Sequence, residues 1–383
     1  GEENLLKIIV SPSDPVDEGE IEFLVRGLPI EVQQLSKVNA LAVASQRFAS
    51  RSCRPMTSDA DVPVEYKVYC SDLLDSLADH KSYIESEIEP FARQLGDNER
   101  IELDLRFRDV ASKEWTNFIR QGNALVLPYK ENWQVRESIK KFTNNVITPE
   151  LCRASLQRRC FEKPFGYPGD YVMMNAFYDN IPYGENAYIR FLYTLGLMAG
   201  SSIKDRMLTL KHELESIDAL KSASDHLHIM SIGSGPAREI CEFFKQKEQI
   251  EKGYSITLVD PEERALDCAI SSIYSSIYTD VSSVIVGGLN ASFLEMLRSK
   301  TLLSQIPPQD FIYAAGLTDY LSSKLTKSLI IGLYEHLKPG GTVLIGNIND
   351  SPNGMHWSSE YALDWTMHFR NRQEMEKIAE GLP

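Results

Sequence analysis

The residues best placed to do chemistry are two glycines, Gly233 and Gly235, within residues 228–239 (H-I-M-S-I-G-S-G-P-A-R-E), and Asp260, which closes S-I-T-L-V-D about one βαβ unit later. The stretch reads as a buried parallel strand, a glycine turn, a helix start and a second strand ending on a carboxylate. Glycines let the backbone turn sharply and approach a ligand with no Cβ in the way. The helix that follows aims free N–H groups and its positive end at an anionic group. A carboxylate at the end of the next strand can accept both hydroxyls of a ribose. A nucleoside is the ligand this pairing fits.

A dinucleotide fingerprint places a third glycine three residues after the second. Here that position is Arg238, too bulky for close helix packing under a pyrophosphate. The run Gly233, Ser234, Gly235, Pro236, Ala237, with Asp260 after it, instead resembles motif I and its acidic partner in class I S-adenosylmethionine-dependent methyltransferases. That resemblance implies S-adenosylmethionine as cofactor, its methionine part against the glycine loop and its ribose on Asp260. The plain alternative is an α/β turn whose glycines serve sterics alone.

Five strands are expected around these residues, at 229–232, 256–260, 284–286, 310–315 and 342–348, separated by amphipathic helices such as Leu325, Leu329, Leu333, Leu337. Strands alternating with helices imply a parallel sheet covered on both faces. The expected fold class is α/β, a Rossmann-like doubly wound, mostly parallel sheet, with a mainly helical N-terminal domain. Lys338-Pro339-Gly340-Gly341 reads as a helix stop and a turn into the fifth strand. Ligands in such sheets bind beyond the carboxyl ends of the strands, which gathers 233–235, 260, 289–291, 314–320 and 347–357 around one crevice. The antiparallel strand pair that usually closes this fold is expected to be absent.

Ahead of the sheet, residues 1–60 hold two short apolar runs, 5–10 and 21–25, expected as a hairpin or two edge strands. A helical stretch at 31–48 and a linker at 51–64 follow. Helical periodicity dominates a second domain, 61–185: Ile84, Ile88, Phe91 and Leu95 share one expected face, and Ile139, Phe142 and Val146 another. Trp115, Phe118, Ile119 and Trp133 read as core or interface residues. Residues 161–180, with two glycines, two prolines and six aromatic rings, break this pattern and read as a structured loop. They suit a substrate lid or an inter-domain seam equally. The third domain, 186–383, opens with a helix pair, 186–199 and 201–220, joined at Gly200-Ser201.

At 383 residues the chain exceeds one ordinary core, and 43% hydrophobic with 25% charged residues is the balance of a soluble protein. A net charge of −14 argues against binding driven by phosphate neutralisation, and the basic concentrations at 136–141 and 153–159 read as solvated helix faces, so no nucleic-acid partner is expected. No membrane-spanning run and no charged-then-apolar leader is read. Six scattered cysteines without a C-x-x-C pair fit a cytoplasmic, reducing compartment and no metal site.

Within the crevice, Asn290 stands where a polar group would meet the adenine edge, with Ala315 beyond the fourth strand. The run Y-A-A-G-L-T-D-Y-L after that strand is neither an Asn/Asp-Pro-Pro-Tyr nor a Pro-Cys motif, which moves nucleic-acid bases down as acceptors. Candidate general bases are His356 and His368, with Asp319 or Tyr320 beyond the fourth strand; a carboxylate acceptor would need none. G-Y-P-G-D-Y-V-M-M-N (166–175), I-K-D-R (203–206), I-G-S-G-P-A-R-E and N-I-N-D-S-P-N-G-M-H-W-S-S-E-Y-A-L-D-W (347–365) together resemble bacterial methyltransferases named as biosynthesis proteins for extracellular factor 3-hydroxypalmitic acid methyl ester, over about residues 140–375. The resemblance implies Arg206 at the cofactor, Tyr167, Asp170, Tyr171, Met174, Asn347, Trp357 and Tyr361 at a small-molecule acceptor, and a 3-hydroxy fatty acid carboxylate as that acceptor. Two alternatives stand beside it: an amine, phenol or peptide acceptor served by a histidine base, and a non-catalytic S-adenosylmethionine-binding module.

Overall fold

A computed structural model describes residues 5–11, 61–278, 281–298 and 305–381. The expected run 21–25, the helix at 31–48 and most of the linker lie outside the described residues.

Six parallel strands form one sheet: β1 (Leu5–Ser11), β2 (His226–Ile232), β3 (Gly253–Asp260), β4 (Val284–Asn290), β5 (Gln309–Ala314) and β6 (Leu337–Ile348), in the order β1-β6-β5-β2-β3-β4. The chain winds outward from β2 in both directions, so the topological switch lies between β2 and β5. The Rossmann-like doubly wound sheet is the one the alternation of strands and helices predicts. Its first surprise is β1, which pairs in parallel along β6 from Leu5 opposite Thr342 to Ser11 opposite Ile348 and occupies the edge beside the fifth expected strand. A second is 338–341, which joins β6 instead of preceding it. Partners jump from Gln309 with Leu337 to Phe311 with Thr342, so the Lys-Pro-Gly-Gly turn is absorbed as an irregularity within the strand.

Alternating side chains on β2, β5 and β6 feed two cores. Ile229, Phe311, Tyr313 and Leu344 pack under one face with Leu210 and Leu214 of α7 (Ser201–Ala219), and with α8 (Arg238–Lys245) and α9 (Glu263–Ser275). Met230, Ile312, Ala314, Val343 and Ile345 pack on the other with α10 (Phe293–Arg298), α11 (Ser323–Tyr334) and α12 (Arg372–Ala379). Both faces being covered explains why these strands are apolar runs and do not alternate.

A third core is helical: α1 (Val64–Tyr83), α2 (Asp97–Val126), α3 (Trp133–Val146), α4 (Ser155–Glu162), α5 (Tyr171–Asp179) and α6 (Ala187–Ala199), together with residues 348–369, which return from β6 to pack into it. A π-helical turn at Ile84–Ile88 inserts an extra residue, so the expected face slips. Ile84 is buried while Phe91 is 54% exposed. Trp115 and Ile119 lie in this core as expected, but Trp133, the first residue of α3, is 67% exposed. Gly200 lies between α6 and α7, and it is glycine because the ring of Phe177 passes within 2.0 Å of where a Cβ would be. Among the described residues no helix is long and apolar enough to cross a membrane.

Candidate functional site

The turn after β2 is held by backbone bonds to its neighbour strand: the N–H groups of Gly233 and Ser234 both donate to the Val259 carbonyl, at 2.8 and 3.1 Å. Gly233, Gly235 and Ala237 all adopt positive φ, of 64°, 50° and 46°. At Gly235 an added Cβ would meet nothing within 4 Å, and at Gly233 only Leu317 at 3.6 Å. The glycines therefore serve a turn and an open space, and steric relief against the protein itself is not their use. Ser234 Oγ in the same loop is buried without a hydrogen-bond partner, a group left for a ligand to satisfy.

Asp260 lies across this turn. Its Oδ2 accepts from the Gly235 N–H at 2.8 Å and its Oδ1 from the Glu262 N–H at 2.9 Å, leaving each oxygen a further lone pair. Burial pushes the carboxyl up, opposed by those two backbone donors. Asn290 spends its amide N–H groups on the carbonyls of Asp260 and Pro261, at 3.3 and 3.1 Å. It ties the ends of β3 and β4 together. Pro236 and Arg238 follow; Arg238 turns away from the loop and meets α5, donating to Asp179 at 2.6 Å and Asn175 at 3.2 Å.

Beyond β5 the centre is Asp319, 3% exposed. It accepts from Arg206 Nη1 at 3.1 Å and from the Ile348 N–H at 2.6 Å, while its backbone carbonyl takes the His368 N–H at 2.7 Å. Burial pushes its carboxyl up to about 6 despite Arg206 and Arg370 nearby. Arg206 passes over Gly316 and Gly346: Cβ atoms there would come within 3.0 and 3.1 Å of its side chain. The Ala315 carbonyl lies close to Gly346, within 2.4 Å of where a Cβ there would be. Tyr320 Oη accepts from the Trp365 indole at 2.9 Å and reaches the Pro168 carbonyl at 3.5 Å; lost hydration pushes its phenol up.

Residues expected on the acceptor side divide. Asp170 caps α5, accepting from the Val172 and Met173 N–H groups and from Arg159. Tyr171 stacks on Phe165, and Met174 packs at the margin of the helical core. Tyr167 neighbours Asp260 and Glu262, whose charges add to burial in pushing its phenol up. Asn347 is inside the protein, donating to the His368 carbonyl at 2.9 Å and accepting from Arg370 at 2.5 Å. Trp357 and Tyr361 are fully buried in the helical core, Trp357 donating to Tyr66 Oη at 2.7 Å, so neither reaches the mouth of the crevice. His356 stands edge-on to Phe369 at 4.8 Å, with Nδ1 3.7 Å from Glu360. The structure thus brings 233–236, 260, 290, Tyr167, Arg206 and Tyr320 around the strand ends and takes Trp357 and Tyr361 into packing.

Arg370 escapes sequence reading. Buried to 4% exposure, it donates to the Thr318 and Leu321 carbonyls and to Asn347, fixing the segment beyond β5. Within F-R-N-R it reads as one of two arginines on a solvated face, and no spacing marks it. Glu239 was equally hidden. Tyr313 donates to it at 2.6 Å beneath the glycine loop, and burial pushes its carboxyl up.

No protein-family model matches the chain, and no curated protein does. Among solved structures, CurJ carbon methyltransferase aligns at 11% identity over 72% of this chain and 62% of that one, with a TM-score of 0.37. The plantazolicin methyltransferase BpumL, bound to a desmethylPZN analogue and SAH, aligns at 15% identity over 63% and 75%, TM-score 0.34. YjhP from E. coli aligns at 17% identity over 37% of this chain, TM-score 0.25, and the chain spans about half, 48%, of its length. All three TM-scores lie below 0.5.

Proposed function

We propose that the crevice binds S-adenosylmethionine and that the protein transfers its methyl group to a small-molecule acceptor. The observation that carries this reading is the bond between the two halves of the expected nucleoside site, Gly235 N–H to Asp260 at 2.8 Å, beside a glycine turn that opens on empty space and an unpartnered Ser234 hydroxyl. When bound, the cofactor supplies a methyl group already activated on a sulfonium. Asp260 accepts from the ribose hydroxyls with its remaining lone pairs. Ser234 and the start of α8 face the methionine end, and Arg206, anchored by Asp319, offers its guanidinium to the carboxylate there. Asn290 keeps its side-chain oxygen for an exocyclic amine. Tyr320, with its raised pKa, stays a neutral donor that orients the acceptor.

The acceptor we favour is the carboxylate of a 3-hydroxy fatty acid. A carboxylate is ionised at neutral pH and needs orientation and desolvation, not a base. Trp365, which donates to Tyr320 Oη, also lines an apolar cavity of about 30 Å³ with Met173, Phe177, Leu195 and Met355. That volume admits a few atoms, so a long tail would require α5 to move aside. Incubation with methyl-labelled S-adenosylmethionine and 3-hydroxy acids of graded chain length tests the proposal. Methyl esters release their label in mild alkali, whereas N-methyl and phenolic O-methyl products retain it. Alkali-stable label on an amine or phenol overturns the carboxylate assignment, and binding without any transfer favours the non-catalytic alternative.

A further inference from the structure

Residues 165–179 touch each of the three strand ends that frame the crevice. At one end two guanidinium groups approach the Phe165 ring, with Arg264 Cζ 4.1 Å and Arg159 Cζ 5.0 Å from its centroid. Phe165 also stacks on Tyr171 with 5.9 Å between centroids. Arg264, at the start of α9, pairs through Nε with Glu262 at 2.8 Å, and the Glu262 N–H is bound to Asp260. Phe165 is thus joined to the proposed ribose acid through two residues beyond β3. In the middle, Gly169 fits against the residues beyond β5: a Cβ there would come within 2.8 Å of Trp365 and 3.2 Å of Tyr320 Oη. At the far end Asp179 and Asn175 hold Arg238, the first residue of the helix after β2.

We propose that residues 165–179 form a roof over the nucleoside half of the crevice, latched by Phe165 on Arg264, and that this latch governs how fast a bound S-adenosyl nucleoside leaves. The proposal rests on the S-adenosylmethionine reading. It moves the aromatic loop from the acceptor, where its composition first suggested a lid, to the cofactor, with Tyr167 facing the ribose. Product release in such a site requires the roof to lift, and the Arg264–Phe165 contact is its exposed edge. A guanidinium over an aromatic face at an exposed site is worth enough to slow release by about two- to fivefold.

The test is the dissociation rate of S-adenosylhomocysteine from the immobilised full chain, compared for wild type, Arg264→Ala, Arg264→Lys, Phe165→Ala and Asp260→Ala. Arg264 is exposed, so its substitution spares the fold. Both Ala variants at the latch are expected to release the ligand faster by that factor, Arg264→Lys by less, and Asp260→Ala to lose binding. Unchanged rates in Arg264→Ala and Phe165→Ala, with binding intact in wild type and lost in Asp260→Ala, would overturn the roof and leave the cofactor reading standing. No binding by wild type would overturn both.

Discussion

At the exits of β2 and β3 the crevice wall is backbone: three positive-φ residues, an unpartnered serine hydroxyl and a carboxylate held by two N–H groups. Beyond β6 the wall is side chains, and they are spent on the protein itself. Trp357 enters the helical core past Gly122, where a Cβ would come within 2.6 Å of the indole, and donates to Tyr66. Asn123 accepts the Trp357 N–H at 2.8 Å, and Thr148 holds the Ala362 carbonyl at 2.6 Å. The first wall keeps its polar groups available because its geometry is satisfied locally. The second uses its polar groups to fasten the sheet to the helices, so its aromatic content reports packing.

The contrast breaks most visibly at Trp357. Truncation to Ala removes a fully buried indole and its bond to the Tyr66 hydroxyl, which keeps Thr143 at 2.6 Å, and is expected to cost about 3–5 kcal/mol of stability. The affinity of the folded fraction for S-adenosylhomocysteine is expected to stay within about twofold, as for independent sites. Denaturant unfolding and titration calorimetry on the same variant read both quantities. An affinity that collapsed while stability held would make the second wall a ligand wall after all.

Asp319, where the two walls meet, gives a smaller effect with a definite sign. Its carboxyl titrates near 6 in the folded protein against an ordinary value of 3.8, so the folded state holds this proton more tightly than the unfolded chain. The stability it confers is fully present below about pH 4 and is lost as pH rises through about 6, a change of about 3 kcal/mol. Asp319→Asn has no proton to lose. The stability of wild type relative to this variant should fall across that window and level off above it, and unfolding curves that stay parallel from acid to neutral pH would contradict the assignment.

The sheet was readable because a doubly covered parallel sheet writes itself as apolar runs between helices: 229–232 and 256–260 fall within β2 and β3, each of which begins three residues earlier, and 310–315 matches β5 to one residue at each end. Gly233 and Gly235 were readable as a turn because a positive φ favours glycine, and Asp260 as the residue that closes an apolar strand. Pairings at long range were not. Nothing in Leu5–Ser11 says that it lies in parallel along β6, and the π turn that rotates Phe91 into solvent leaves no mark in composition. Arg238 is legible as a bulky residue where a dinucleotide loop has glycine, yet its partners Asp179 and Asn175 depend on where α5 comes to rest. Phe165 and Arg264, about a hundred residues apart, meet only once the helical core and the sheet have docked.

The central claim is that Asp260 and the glycine turn make one nucleoside site. Calorimetric titration of wild type and Asp260→Ala with S-adenosylhomocysteine tests it most directly. Wild type is expected to bind, and the variant to lose about 2–3 kcal/mol of affinity or more, the cost of removing a charged acceptor from buried hydrogen bonds. Equal affinity in the two proteins, or no binding by wild type, would contradict it.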